Sequence, residues 1–211
     1  MVKRILWTMV FSLSLGACGD DVGDVEASMM VDGHNENPNE VITSLRLTFR
    51  PLAGEETFSV SWSHPDLSPI QSVDDIVLQY GRTYRVEVEV FNELEIPVED
   101  ITPEIRDEID EHQVFFVGSS VEGPAATTNP NAIIQQLYDD VDNYGYPIGL
   151  KSTIVSTNTG SGVLSIKLQH LPMLKGELLK TEGLTTLMAN EGEEAMLGST
   201  DISVDFNISV Q

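Results

Sequence analysis

Two groups of side chains in this 211-residue sequence have the types and spacing that metal chemistry needs. The first is Asp140-Val141-Asp142-Asn143-Tyr144-Gly145. Carboxylates at positions 1 and 3 with a glycine at 6 can converge on a hard cation such as Ca2+, the glycine permitting the sharp turn. Position 5 is Tyr144 and position 12 is Lys151, so two ligands of the full calcium loop are replaced. The competing reading is an acidic turn ahead of a strand. The second group is Glu108, Asp110, Glu111 and His112, at the end of an expected helix, together with His170 at the end of an expected strand. Histidine with carboxylate suits Zn2+ or another borderline metal. A histidine at a helix C-terminus also suits the helix dipole. His170 has the parity of the apolar residues in its strand, but spacing alone does not bring it to His112. The other two histidines, His34 and His64, fall in segments expected to be solvent-exposed.

Motifs for catalysis are absent. There is no Gly-x-Ser-x-Gly elbow, no His-Glu-x-x-His and no glycine-rich phosphate loop. The expectation is a non-enzymatic chain. The alternative is a hydrolase with His112 or His170 beside a hydroxyl nucleophile, because the members of a triad need not be neighbours in sequence.

Cys18 is the single cysteine and closes the run Leu15-Gly16-Ala17-Cys18. Lys3 and Arg4 form a basic start, residues 5–15 an apolar stretch, and small residues follow, which is the layout of a secretory signal. The apolar stretch is far short of the roughly 20 residues that span a bilayer. The quartet closely resembles the lipobox of bacterial lipoproteins, which implies a signal peptide over residues 1–17 and acylation of Cys18. An acidic, aromatic-free tether then runs over residues 18–40, with a composition that favours disorder. Acyl chains would anchor the chain to the cell envelope, at the periplasmic face or the outer surface of the outer membrane. The formal charge of −23 argues against nucleic acid, where affinity rests on Lys and Arg neutralising phosphates. It argues equally against protein contacts with an anionic lipid surface.

The elements that must position these residues read as β-structure. Apolar and polar residues alternate over residues 41–50, 57–62, 83–90, 164–168 and 202–210, the two-residue period of half-buried strands in an antiparallel sheet. Shorter candidates are 75–80, 113–117, 134–138 and 150–157, and Thr157-Asn-Thr-Gly-Ser-Gly162 has the composition of a hairpin turn. Trp62 alternates with Phe58 and Val60 and reads as core. Seven to nine strands predict an all-β, immunoglobulin-like antiparallel sandwich forming one domain over residues 41–211. A helix is predicted from Thr102 to about His112, with Thr102 as cap, Pro103 at the first position and Ile105 and Ile109 facing inward. A second helical insertion is predicted over residues 176–189.

Several stretches together look like a family of small Gram-negative (Bacteroidota-like) envelope lipoproteins, mostly of unknown function. They are residues 39–43 with 47–49, Phe91-Asn92-Glu93, Asp100-Ile101-Thr102, residues 110–115, residues 140–150, Leu168-Gln169-His170 and residues 201–206. The resemblance runs from about residue 36 to residue 211. Such proteins are sometimes labelled as a type 1 periplasmic-binding fold, an α/β architecture that the alternating strands here contradict. The resemblance implies that Glu111-His112, the Asp140-to-Gly145 turn and His170 recur in the family, and it gives them no role. This chain departs from the family in its shortened loop over residues 64–69 and in Tyr144, and both departures weaken a shared calcium role. Residues 125–136 and 176–198 look like insertions particular to this member.

The functional expectation is an anchored binding module whose ligand is a divalent cation or a partner protein, such as an outer-membrane transporter. The alternative is a purely structural envelope protein. The candidate metal-site residues are Asp140, Asp142, Glu111, His112 and His170, for Ca2+ or Zn2+.

Overall fold

A computed structural model describes residues 41–54, 56–64, 71–126 and 129–211. Cys18, the signal sequence, the tether with His34, and the loop at 65–69 lie outside the described residues.

The alternating segments form the strands. In chain order they are β1 (Ser44–Pro51), β2 (Phe58–Ser63), β3 (Ser72–Val73), β4 (Ile76–Leu78), β5 (Thr83–Asn92) and β6 (Glu99–Asp100). The helix α1 (Thr102–Asp107) precedes β7 (His112–Val117), β8 (Val121–Glu122), β9 (Ile134–Tyr138), β10 (Lys151–Ser156) and β11 (Gly160–His170). The helix α2 (Leu184–Glu191), a 3-10 turn and β12 (Ser199–Val210) complete the order.

The strands make two sheets. The larger has the order β3-β2-β1-β5-β10-β9-β8, with β6 also paired to β5, and the smaller has the order β4-β12-β11-β7. The all-β sandwich class follows the sequence expectation, while the count rises from the expected seven to nine strands to twelve among the described residues. The added strands β3, β6 and β8 have two residues each, too short for alternation to show. Two pairs, β12 with β4 and β8 with β9, are parallel, and each places a short strand at a sheet edge.

One apolar core joins the sheets. From the larger sheet it takes Leu45, Leu47, Phe49, Val86 and Ile154, and from the smaller Leu164, Ile166, Val204 and Phe206. Phe49 stacks on Phe58 with ring centroids 5.0 Å apart, and Tyr84 meets it edge-on at 6.1 Å. Trp62 is buried and donates its indole N–H to Gln71. Each large apolar side chain removed from water stabilises the fold by about 1.5–3 kcal/mol.

β7 is buried on both faces. Val114 and Phe116 face the main core, whereas Phe115 points the other way and packs with Leu171, Leu184 and Met188 in a second cluster. Leu184 and Met188 belong to α2, which therefore covers the outside of the smaller sheet. That second layer explains why β7 reads as a continuous apolar run rather than as an alternation.

Both helices are shorter than predicted. α1 ends at Asp107, because His112 is already committed to the β7–β11 ladder. Thr102 does not cap it. Its hydroxyl accepts the Val90 N–H of β5, and the Asp100 carboxylate accepts the Thr102 N–H. α2 begins only at Leu184, since Gly183 has a φ of 86° and cannot continue a right-handed helix backwards.

Two glycines of the turn after β9 test how the turn is seated. Gly145 and Gly149 have nearly equal φ values of 88° and 89°. A Cβ on Gly145 meets nothing within 4 Å, whereas one on Gly149 would lie 2.5 Å from the Val114 carbonyl oxygen of β7. Gly145→Ala should therefore cost only the left-handed strain of about 1–2 kcal/mol. Gly149→Ala should cost clearly more, because backbone must move. Urea denaturation of the two variants measures the difference, and equal losses would contradict the close approach.

Candidate metal centre

The β7–β11 register places His112 directly opposite His170. Residues facing each other across neighbouring strands share one side of the sheet, so the two imidazoles meet. Their rings stack with centroids 4.6 Å apart and planes within 6° of parallel. Glu108, the C-cap residue of α1, brings its carboxylate to the pair. One ligand atom from each of Glu108, His112 and His170 lies within 4.8 Å of the others. Among the described residues this is the group of three that could hold an ion. The Glu108 carboxylate is 3.9 Å from His112 Nδ1, and the Glu111 carboxylate is 4.0 Å from His170 Nε2.

His112 is 1% exposed, and its Nδ1 lies 3.2 Å from the Glu108 carbonyl oxygen. A carbonyl oxygen only accepts, so Nδ1 carries the ring proton and Nε2 keeps a lone pair. Burial pushes the pKa of His112 down to about 4, and the neighbouring His170 and Lys180 push in the same direction against the carbonyl bond. The ring is therefore neutral at pH 7, the form that binds metals. Because the two ring planes are nearly parallel, lone pairs lying in them cannot converge, and one ion can be shared only after a ring rotates. His170, at the end of β11 and with 16% of its side chain exposed, is the ring nearer to solvent.

Asp201 adds a further carboxylate that the sequence did not single out. The β11–β12 register shifts between Leu168 and Gln169, so Asp201 has no partner in the ladder. Such a bulge re-aims a side chain. One carboxylate oxygen of Asp201 is buried without a hydrogen bond. Burial raises its pKa to about 6, with His170 and the Ser199 hydroxyl acting in the opposite direction.

The Asp140-to-Gly145 turn does different work. Asp140 accepts the N–H groups of Gly149 and Lys151 at 2.8 and 2.9 Å, tying the turn to the start of β10. Asp142 accepts the N–H groups of Tyr144 and Tyr146 through one oxygen, at 2.9 and 2.8 Å. Its other oxygen lies 3.0 Å from Lys180 Nζ. Asn143 is held by the Asp110 carboxylate. These carboxylates close backbone turns. Thus the structure brings His112 and His170 together with Glu108, sets Glu111 beside them, and leaves Asp140 and Asp142 outside the group.

Lys180 was also missed in the sequence. Its side chain is 1% exposed, and its ammonium donates to the Ile109 carbonyl at 2.8 Å and the His112 carbonyl at 2.9 Å, besides pairing with Asp142. Two of the three ammonium donors go to these carbonyls, and the charge is matched by the Asp142 carboxylate. Burial lowers the pKa of Lys180, while Asp142 holds it up. The only sequence signal was a lone cation after Leu178-Leu179 in a chain with just 11 basic residues.

The fold and site together define a two-sheet all-β domain with a histidine–carboxylate cluster at one end. Comparison with protein-family models, curated proteins and solved structures finds no match for this chain. Among the described residues no helix is long and apolar enough to cross a membrane.

Two outcomes follow for this end of the sandwich. Removing one partner of a buried ion pair leaves a stranded charge and typically costs 3–5 kcal/mol, whereas replacing both by apolar groups costs far less. Lys180→Met and Asp142→Leu should each destabilise by about that amount, and the double variant by less than their sum. A double-mutant cycle from urea melts measures the coupling.

The pH dependence separates the two shifted groups. His112 titrates near 6.5 when unfolded and near 4 when folded, so its contribution is present above pH 6.5 and lost as pH falls toward 4. Asp201 has the opposite sign: its pKa is raised, so its contribution is present below about pH 3.8 and lost as pH rises through 6. Asp201→Asn should therefore gain on the parent by about 2 kcal/mol as pH rises from 4 to 7. Denaturant melts across that range check the sign, and a flat difference would refute it.

Proposed function

We propose that this chain is a lipid-anchored envelope lipoprotein whose β-sandwich captures a borderline divalent metal ion, with Zn2+ as the best match, at His112, His170 and Glu108. The observation that carries the reading is the approach of three ligand atoms to within 4.8 Å of one another. Two nitrogen donors with one carboxylate suit zinc, whereas Ca2+ takes oxygen ligands. The anchoring half of the reading rests on the lipobox quartet ending at Cys18 and on the resemblance to small Gram-negative envelope lipoproteins.

Isothermal titration of the purified protein with Zn2+ is expected to show one equivalent bound with Kd well below about 1 mM. His170→Ala and Glu108→Gln should each weaken binding at least about tenfold, because each deletes a ligand. Binding weaker than about 1 mM, or unchanged in both variants, would sink the metal reading. Cys18→Ala should move the protein from the membrane to the soluble fraction on cell fractionation, since acylation of that sulfur supplies the anchor.

A structural reading without a small ligand has one observation in its favour. The two rings stack on each other and His112 is already hydrogen-bonded to the Glu108 carbonyl, so the pair packs without an ion. In that reading the module contacts another envelope protein, such as an outer-membrane transporter. Cross-linking and co-purification of a protein partner, unaffected by chelators, would favour it.

A further inference from the structure

We propose that the loop between β5 and β6, residues 93–98, docks on a zwitterionic lipid surface, so that this end of the sandwich rests against the bilayer. The inference builds on the lipid-anchor half of the reading above and is independent of the metal half.

Three observations carry it. First, the loop presents large apolar side chains to water. Leu94 is 46%, Ile96 96% and Val98 57% exposed, and Ile96 is the most exposed large apolar side chain among the described residues. Single exposed aliphatics are ordinary on a protein surface, whereas a group of them marks a contact site. Val41 and Val73 are exposed at the same end, since Ser44 pairs with both Phe91 and Ser63, and Trp62 pairs with Val73.

Second, the base of the loop is fixed. The Phe91–Asp100 and Asn92–Glu99 pairs close it. The Glu93 N–H donates to the Thr43 hydroxyl at 2.7 Å, and the Leu94 N–H to the Asn92 side-chain oxygen at 3.1 Å. The Ser63 hydroxyl donates to the Glu93 carboxylate at 2.7 Å. A loop held in this way loses little freedom on docking, so the apolar transfer is not spent on ordering it.

Third, the loop lies where the chain from Cys18 joins the sandwich. The Thr43 N–H donates to the Phe91 carbonyl at 2.9 Å, two residues after Val41. At about 3.5 Å per residue, residues 19–40 cannot hold Val41 further than about 80 Å from Cys18. Acyl chains on Cys18 therefore keep bilayer at a high effective concentration around the loop. An insertion too weak to bind a membrane by itself then becomes effective.

Charge selects the kind of lipid. Residues 92–101 contain Glu93, Glu95, Glu99 and Asp100 and no Lys or Arg. These carboxylates are repelled by an anionic surface, whereas the outward-facing ammonium groups of phosphatidylcholine suit them. Docking should therefore weaken as anionic lipid is added, the reverse of a basic membrane-binding segment. A second copy of the chain is a poor occupant, because each copy carries a formal charge of −23.

The test uses the mature acylated protein with a fluorophore on Glu95→Cys, reconstituted in phosphatidylcholine vesicles whose acyl chains carry bromine. Quenching is expected to be at least about twofold stronger than for the same label on Tyr80→Cys, at the opposite end of the sandwich. Adding Leu94→Ser and Ile96→Ser should abolish that difference while leaving the unfolding midpoint unchanged, since both side chains are exposed. Replacing about a third of the lipid with phosphatidylglycerol at low salt should reduce it. The mass of the protein reads acylation separately. If Cys18 carries no acyl chain, the anchor reading fails, and the same labelled chain mixed with vesicles at about 5 mM lipid decides the loop by the same comparison. Equal quenching at positions 95 and 80, the result expected if the loop contacts a protein instead, overturns the proposal. So does quenching that survives Leu94→Ser with Ile96→Ser, or that grows with phosphatidylglycerol.

Discussion

The end of the sandwich that carries the chemistry depends on one buried ammonium. Lys180 reaches the Ile109 and His112 carbonyls and the Asp142 carboxylate, and so joins three segments far apart in sequence. One is the stretch between α1 and β7, one is the turn after β9, and one is the segment that leads into α2. Without that cation, the Asp142 carboxylate would be a bare charge at zero exposure. Without Asp142, the ammonium would be equally stranded. Burying both costs solvation, so the pair does not simply add stability; its role is to fix the geometry of everything attached to it. The His112 ring, the turn after β9 and the start of α2 are all within one or two bonded contacts of this interaction.

β7 turns that anchor into two distinct surfaces. Its odd and even residues face opposite sides, so His112 looks inward toward His170 while Phe115 looks outward beneath α2. The inner side becomes a neutral, desolvated imidazole beside a carboxylate. The outer side becomes an apolar floor for α2. Because both surfaces belong to one strand, a shift of β7 along β11 would disturb both at once, and the register is held by the six residue pairs from Ser165–Val117 to His170–His112.

The strands were legible in the sequence wherever one face meets water. Val86, Val88 and Val90 alternate with charged residues because their strand is solvated on its outer face. β7 was legible only as a short apolar run, since α2 buries its second face. The two-residue strands left no period to read. In the site, residue types were legible and partners were not. His112 and His170 are 58 positions apart, and only the register of two strands sets them face to face. The acidic turn had the composition of a cation loop, but its carboxylates are taken by backbone N–H groups and by Lys180, a residue whose importance comes from burial alone. Asp201 owes its position to a bulge, which no hydrophobic pattern encodes.

The placement of β12 has a consequence for how the molecule comes into being. It is the last strand in chain order, yet it lies inside the smaller sheet, between β4 and β11, and Gln211 continues the pairing with Leu78 and Tyr80. A nascent chain can therefore assemble the β1–β2 and β1–β5 pairs as they emerge, but β4 has no partner in its sheet until β12 arrives. The smaller sheet therefore closes only once β12 has been made. Any product that stops early lacks an interior strand rather than an edge, so it exposes apolar surface that quality-control proteases recognise.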